Sequence, residues 1–290
     1  MIVIVGLIIV LVCVFGVFVA VGGNMDIIAH AAPHELATIL GAGIGAFLIA
    51  NLNPIIKIAL KGLKQTFKGA KWKKQDYVDL LCLMFLLVKT ARTKGVVAIE
   101  GHIERPEESK LFQNFPNVAA DHHVVDFICD YFRMVSMNFE DPYQMEDAMV
   151  RDLEKHHGEE HAGQHALQIM ADGLPAIGIV AAVLGVIKTM GAINQPTEIL
   201  GAMIGGALVG TFLGVLLSYC IVGPLASRLG QILEEEGKFM EIVKTVIICH
   251  LQGQPPQIAL EVGRRSLPGP MMVSFNEMEE AVNSLGNDLV

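Results

Sequence analysis

Apolar positions in this chain fall into four long blocks separated by segments of mixed character. Residues 2–21 form an unbroken apolar run, and 36–52 are almost wholly apolar. The stretches 173–193 and 199–224 form a second pair, joined by a short polar link with Asn194, Gln195, Pro196 and Glu198. Each block is long enough to cross a bilayer, because about 20 residues at about 1.5 Å rise span a hydrocarbon core of about 30 Å. Elsewhere the apolar positions recur at helical spacing. Val125, Ile128, Cys129 and Phe132 do so in one stretch, and Leu225, Leu229, Ile232, Leu233, Ile242, Val243, Val246 and Ile247 in another. Residues 80–88 are continuously apolar between Asp79 and Lys89 but too short to span, so they predict the buried centre of a soluble helix. The pattern predicts an all-α integral membrane protein with four transmembrane helices and a helical cytoplasmic domain. The segments are 1–22, 34–53, 172–193 and 199–224 as spans, with 54–171 and 225–290 as cytoplasmic helical regions.

Composition agrees: the mean hydropathy is +0.50 and 52% of residues are apolar. The first block lacks the basic start of a signal peptide and exceeds its usual apolar length of about 7 to 15 residues, so it reads as an uncleaved helix. Orientation comes from Lys57, Lys61, Lys64, Lys68, Lys71, Lys73 and Lys74, which follow the second block with no acid among them. Such a run belongs in the cytoplasm. Both chain ends are then cytoplasmic, and the link at 23–35, with Asp26 and Glu35, lies outside. The lysines also suit anionic lipid head groups, and nothing in the pattern favours nucleic acid. The net charge of -9 arises in the later cytoplasmic segments.

Chemistry-bearing motifs are sparse. Nucleophile motifs, phosphate loops, dinucleotide fingerprints and paired cysteines are missing, so no enzyme is expected. The row His157, His161 and His165 has helical spacing but no fourth ligand, and the segment holds two glycines, so no metal is expected. Cys13, Cys82, Cys129, Cys220 and Cys249 stand apart among apolar neighbours and read as small hydrophobes. Small residues recur every four positions in three spans: Gly41 with Gly45, Gly178 with Ala182, and Gly206, Gly210 and Gly214. That spacing brings backbones close and predicts packing on protein.

The polar groups of the spans are Thr38, Asn51, Thr189, Thr211, Ser218 and Tyr219. Thr211 has two readings, an ion-path hydroxyl or a bond to the carbonyl of Ala207. Pro175 likewise suits either a functional kink or the first turn of its helix, whereas Pro224 has helical sequence on both sides and predicts a kink. No carboxylate occurs in 174–194 or 199–224, and Lys188 is the only charge well inside the spans. Ion paths are usually marked by ionisable groups. Either no proton moves, or a partner helix supplies the acid, and the small-residue faces offer room for one.

The segments DGLPAIGIVAAVLGVI, ALVGTFLGVLLSY with Pro224 after it, GAGIGAF and VKTARTKGVVAIE together resemble the MotA family of flagellar motor stator proteins, in the same order from the first helix to about Glu280. The resemblance implies a pentamer of four-span subunits around the membrane helices of two MotB chains, which bring the ion-accepting aspartate and a peptidoglycan anchor. It places the channel prolines on Pro175 and Pro224 and the channel threonine on Thr211. The charged pair meeting the rotor protein FliG falls on Arg92 and Glu100. Sodium-driven relatives carry threonine where this chain has Ala182, so the resemblance implies H+ as the transported ion, without a cofactor. The expected location is the bacterial inner membrane. Two other readings are an ExbB/TolQ-like proton-driven energiser, whose members resemble three-span proteins, and a self-sufficient channel or carrier, which needs its own titratable group.

Overall fold

In the computed structural model, residues 2–139 and 141–285 are described, so the outermost residues of the first and last predicted segments, 1 and 286–290, lie outside the described residues. Those described form helices and connecting turns, with no strand among them. Helix α1 spans Ile2–Ala20, with one π-helical turn at Val12–Gly16, and α2 spans Met25–Ala50. Then come α3 (Asn53–Lys68), α4 (Lys74–Lys94) and α5 (Val97–Ile103). After short turns follow α6 (His122–Ser136), the 49-residue α7 (Pro142–Met190) and the 55-residue α8 (Thr197–Leu251), which contains a π-helical turn at Ser218–Val222. Helices α9 (Pro256–Arg265) and α10 (Phe275–Asn283) complete the described chain. Four of these, α1, α2, α7 and α8, are long and apolar enough to cross a membrane.

The helices divide into two compact units, one from 1–69 and 159–232 and the other from 70–158 and 233–290, with α7 and α8 contributing to both. The first unit is a bundle of the four apolar helices. Its small core holds Ile39, Leu174, Ala181, Val209, Leu213 and Leu216, while Ile179, Val183, Ile187, Leu208 and Val215 stay exposed. In water such surface would be costly. It suits a bilayer or other membrane helices.

Two boundaries differ from the sequence reading. Helix α2 begins at Met25, capped by Asn24, whose side chain accepts the Asp26 N–H at 2.9 Å. Asp26 and Glu35 therefore lie within a helix instead of a loop. Helix α7 has no break near residue 172, because the amphipathic sequence before it keeps helical geometry straight into the span. Pro175 consequently sits deep in a helix and not in a first turn, and the Ala171 carbonyl loses its usual N–H donor.

The lysine-rich α3 belongs to the first unit. A Cβ on Gly62 would lie 2.6 Å from Leu229 Cδ2, and one on Gly163 would lie 2.8 Å from the Ala59 nitrogen. Arg228 Nε donates to the Thr66 carbonyl at 3.0 Å, capping the end of α3. Lys57, Lys61, Lys64 and Lys68 remain exposed.

In the second unit α4 is the central helix. Leu80, Leu81, Leu83, Met84, Leu87 and Val88 are completely buried, as their apolar run predicts. Trp72 stacks on Phe239 with ring centroids 4.0 Å apart, and Tyr77 meets the same ring edge-on at 5.1 Å. Burial holds the Cys82 thiol up at about 12, with Asp79 adding to it, and holds Cys129 at about 12 as well. Neither thiolate forms at neutral pH, which fits their role as packed hydrophobes.

Candidate functional site

Close helix contacts of the first unit run along a seam between α7 and α8. A Cβ added to Gly178 would lie 2.8 Å from the Gly210 carbonyl oxygen and 3.0 Å from Gly214 Cα. One added to Gly214 would lie 2.8 Å from the Leu174 carbonyl oxygen and 2.9 Å from Gly178 Cα. Gly185 meets Ala207 in the same way, at 2.7 Å from its Cβ. The two backbones touch without side chains between them, and only glycine or alanine permits that approach. Gly206 sits more loosely, facing Ala31 of α2 at 3.5 Å.

The pair Gly41 and Gly45 does not take part. A Cβ at either would meet nothing within 4 Å, whereas one at Gly43 would lie 3.1 Å from Leu174 Cδ2. The cause is helical geometry. A residue two positions away points about 200° around the axis, so the four-residue repeat lies opposite the face that packs within this chain.

Of the expected ion-path residues, Ala182 lies directly on the seam, its backbone nitrogen 3.3 Å from where a Gly210 Cβ would be. Thr211 follows Gly210 and is half-buried. Thr38 and Thr189 donate to carbonyls one turn back, at 3.0 and 2.9 Å. No such bond from the Thr211 hydroxyl to Ala207 is found among the described residues, so its donor stays available.

Pro175 is two turns before Ala182 on nearly the same face, about 10 Å along the axis. Pro224 is about 20 Å from Thr211 along α8 and follows the π-helical turn, where the Gly223 N–H donates to the Ser218 carbonyl. The wider turn lets the helix pass a residue that has no N–H of its own. Four of the named residues therefore lie on two adjacent helices, but only Ala182 and Thr211 come to the same level.

One carboxylate at this level escaped the sequence reading. Glu35 Oε2 lies 2.6 Å from the position of a Gly210 Cβ, on the same glycine that meets Ala182. The absence of carboxylates concerns the two later spans, and the sequence assigns Glu35 to the link at 23–35. The four-residue spacing of Asp26, His30 and His34, which carries a helical period back from the apolar block, was the available signal.

Arg92 and Glu100 belong to the second unit and do not pair with each other. Arg92 Nη1 donates to the carbonyls of Gly253 and Gln254 at 2.9 and 2.6 Å, tying the end of α4 to the turn after α8. Glu100 on α5 is exposed. Burial, and then the charge of Arg92, push the nearby His250 imidazole below its ordinary value. His157, His161 and His165 lie along α7, and among the described residues no three potential ligands converge on a metal position.

This arrangement can be set beside known proteins. Residues 4–95 match the family described as motility protein A N-terminal, and residues 120–242 match the MotA/TolQ/ExbB proton channel family. The chain is 39% identical over 287 residues to motility protein A of Escherichia coli (strain K12), covering 99% of this chain and 97% of that protein. It is 32% identical over 275 residues to chemotaxis protein LafT of Vibrio parahaemolyticus, covering 95% and 96%. Among solved structures, C. jejuni MotAB aligns with a TM-score of 0.74 at 18% identity, over 94% of this chain and 98% of that one, a likeness of fold. Matched by the family model over its first third and alike to such proteins over nearly their whole length, the chain belongs to the motility protein A (MotA) family.

Proposed function

We infer that the chain is the stator subunit of a bacterial flagellar motor, working with MotB as an ion channel in the inner membrane that turns ion flow into rotor torque. The role is of the channel type, with no catalytic step. The observation that carries the reading is the seam itself. Ala182, Gly210 and the free hydroxyl of Thr211 stand at one level on two helices that leave Ile179, Val183, Ile187, Leu208 and Val215 uncovered. Such a surface receives foreign membrane helices. The match of residues 4–95 to a motility-protein family supports the stator reading over the energiser one.

The transported ion is H+, accepted by an aspartate of MotB placed beside Thr211 and Ala182. Five copies surround the MotB helices, with both chain ends cytoplasmic and the lysines of α3 on anionic lipid. Moving one charge through 100 mV yields about 2.3 kcal/mol, which shifts a conformational equilibrium about fifty-fold. Pro175 and Pro224 set the helix geometry that changes between states. Glu100 meets FliG, and Arg92 holds the surface on which it is presented.

The test is conductance in proteoliposomes. The complex with MotB passes protons, and the chain alone passes none. Replacing Pro175 or Pro224 by alanine abolishes torque while the complex still assembles. Proton conduction by the chain alone would overturn the reading in favour of a self-sufficient channel, and loss of assembly in the proline variants would make those residues merely structural.

A further inference from the structure

At the end of the membrane unit away from α3 lies a cavity of about 600 Å³ between α2, α7 and α8. Its wall carries six formally ionisable side chains. Asp26, His30, His34 and Glu35 come from α2, Lys188 from α7 and Glu198 from α8. No other charged or titratable side chain from these helices lines it. Asp26, His30 and His34 are spaced by four and so share one face of α2, the histidines on either side of Pro33. Glu35 points from the same helix to Gly210, linking the cavity to the level of Ala182. A volume near 600 Å³ has room for a chain of water molecules at about 30 Å³ each.

Formal charges give the cavity its behaviour. Three carboxylates against Lys188 leave it at two negative charges when both histidines are neutral. With both histidines protonated the sum is zero. Histidine is the side chain that ordinarily changes charge between about pH 5 and 8. A cleft lined by one sign of charge raises the local concentration of the opposite ion, by about ten-fold or more.

We propose that this cavity is a titratable vestibule for small cations, in which His30 and His34 set how strongly ions are drawn toward the path. Cation attraction is greatest at alkaline pH, where protons are scarcest, and is switched off in acid. The device evens out ion supply as the medium changes. It rests on the orientation given above only in that the cavity then opens outside the cell.

The potential is measured apart from transport. In the complex reconstituted in proteoliposomes, an Ala202→Cys variant places a thiol on the cavity wall. Its reaction rates with a cationic and an anionic methanethiosulfonate reagent are followed by mass at residue 202, and their ratio cancels the thiol's own ionisation. The cation preference falls several-fold from pH 8 to pH 5.5, and in the H30Q/H34Q background it stays high throughout. A ratio that does not change with pH, or changes equally in both backgrounds, overturns the proposal. Single H30Q and H34Q variants each retain part of the change. Flux is then read separately: the variant-to-parent ratio is near one at pH 8 and rises several-fold at pH 5.5. A vestibule response accompanied by sodium flux, or by no flux, overturns the proton reading alone.

Discussion

In the second unit, Phe239 lies 4.0 Å from the stacked ring of Trp72 and edge-on to Tyr77, and α4 is buried along its whole centre. In the first unit, at Gly178 and Gly214, two helices touch backbone to backbone, and large apolar side chains such as Ile187 and Leu208 point away from the chain. The contrast follows from solvent. Water rewards burying aromatic and aliphatic area, and the second unit encloses its large side chains. A bilayer gives no such reward, and helices there hold together by close van der Waals contact through small residues. One unit is complete in itself, while the other presents a surface that lipid or further helices must cover.

The largest test of this contrast is Phe239→Ala. Removing a fully buried ring stacked on Trp72 costs about 3 to 5 kcal/mol, and chemical denaturation of the full chain in detergent, followed by Trp72 fluorescence, loses the cooperative transition of the second unit. In the membrane unit, Gly178→Val forces a side chain into the Gly210 carbonyl at a cost of about 3 kcal/mol. Motility is lost and the detergent-extracted complex melts earlier. The matched control, Gly41→Ala, has open space and changes the melting of the isolated chain by less than about 0.5 kcal/mol. Equal effects at 41 and 178 would contradict the seam.

A smaller effect separates Arg92 from Glu100. Arg92→Ala removes two hydrogen bonds from a charged donor to main-chain carbonyls and lowers the stability of the second unit by about 1 to 2 kcal/mol, the bonds being partly exposed to water. Glu100→Gln leaves melting unchanged and reduces torque. Torque and melting measured on both variants distinguish a presenting residue from a contacting one.

The smallest expected effect is on pH dependence. His250 and His102 are both pushed below the ordinary histidine value, first by burial, then by Arg92 and Lys94 respectively. The unfolded chain therefore takes up protons first as pH falls through about 6.5. Stability is full above that value, declines as pH drops toward the folded-state values, and levels off below them. Histidine 250 also has a buried Nδ1 without a hydrogen-bond partner, so His250→Gln flattens the decline in a melting series from pH 7.5 to 5. A decline of unchanged slope would assign it to other groups.

Much of this architecture was legible along the chain. The four apolar blocks, the all-helical class and the burial of residues 80–88 all follow from local pattern, because block length and helical period depend only on neighbours in sequence. The tight approach at Gly178, Gly210 and Gly214 was also visible as spacing. Tertiary structure decided which face each helix turns inward, and a repeat of four cannot say that. It chose Gly43 over Gly41 and Gly45, brought Glu35 to Gly210 across 174 intervening positions, and set Arg92 on the carbonyls of Gly253 and Gln254. It also carried α7 unbroken through Pro175, where packing on both sides of the proline outweighs one lost hydrogen bond. These are contacts between residues far apart in the chain, and their geometry exists only once the helices have packed.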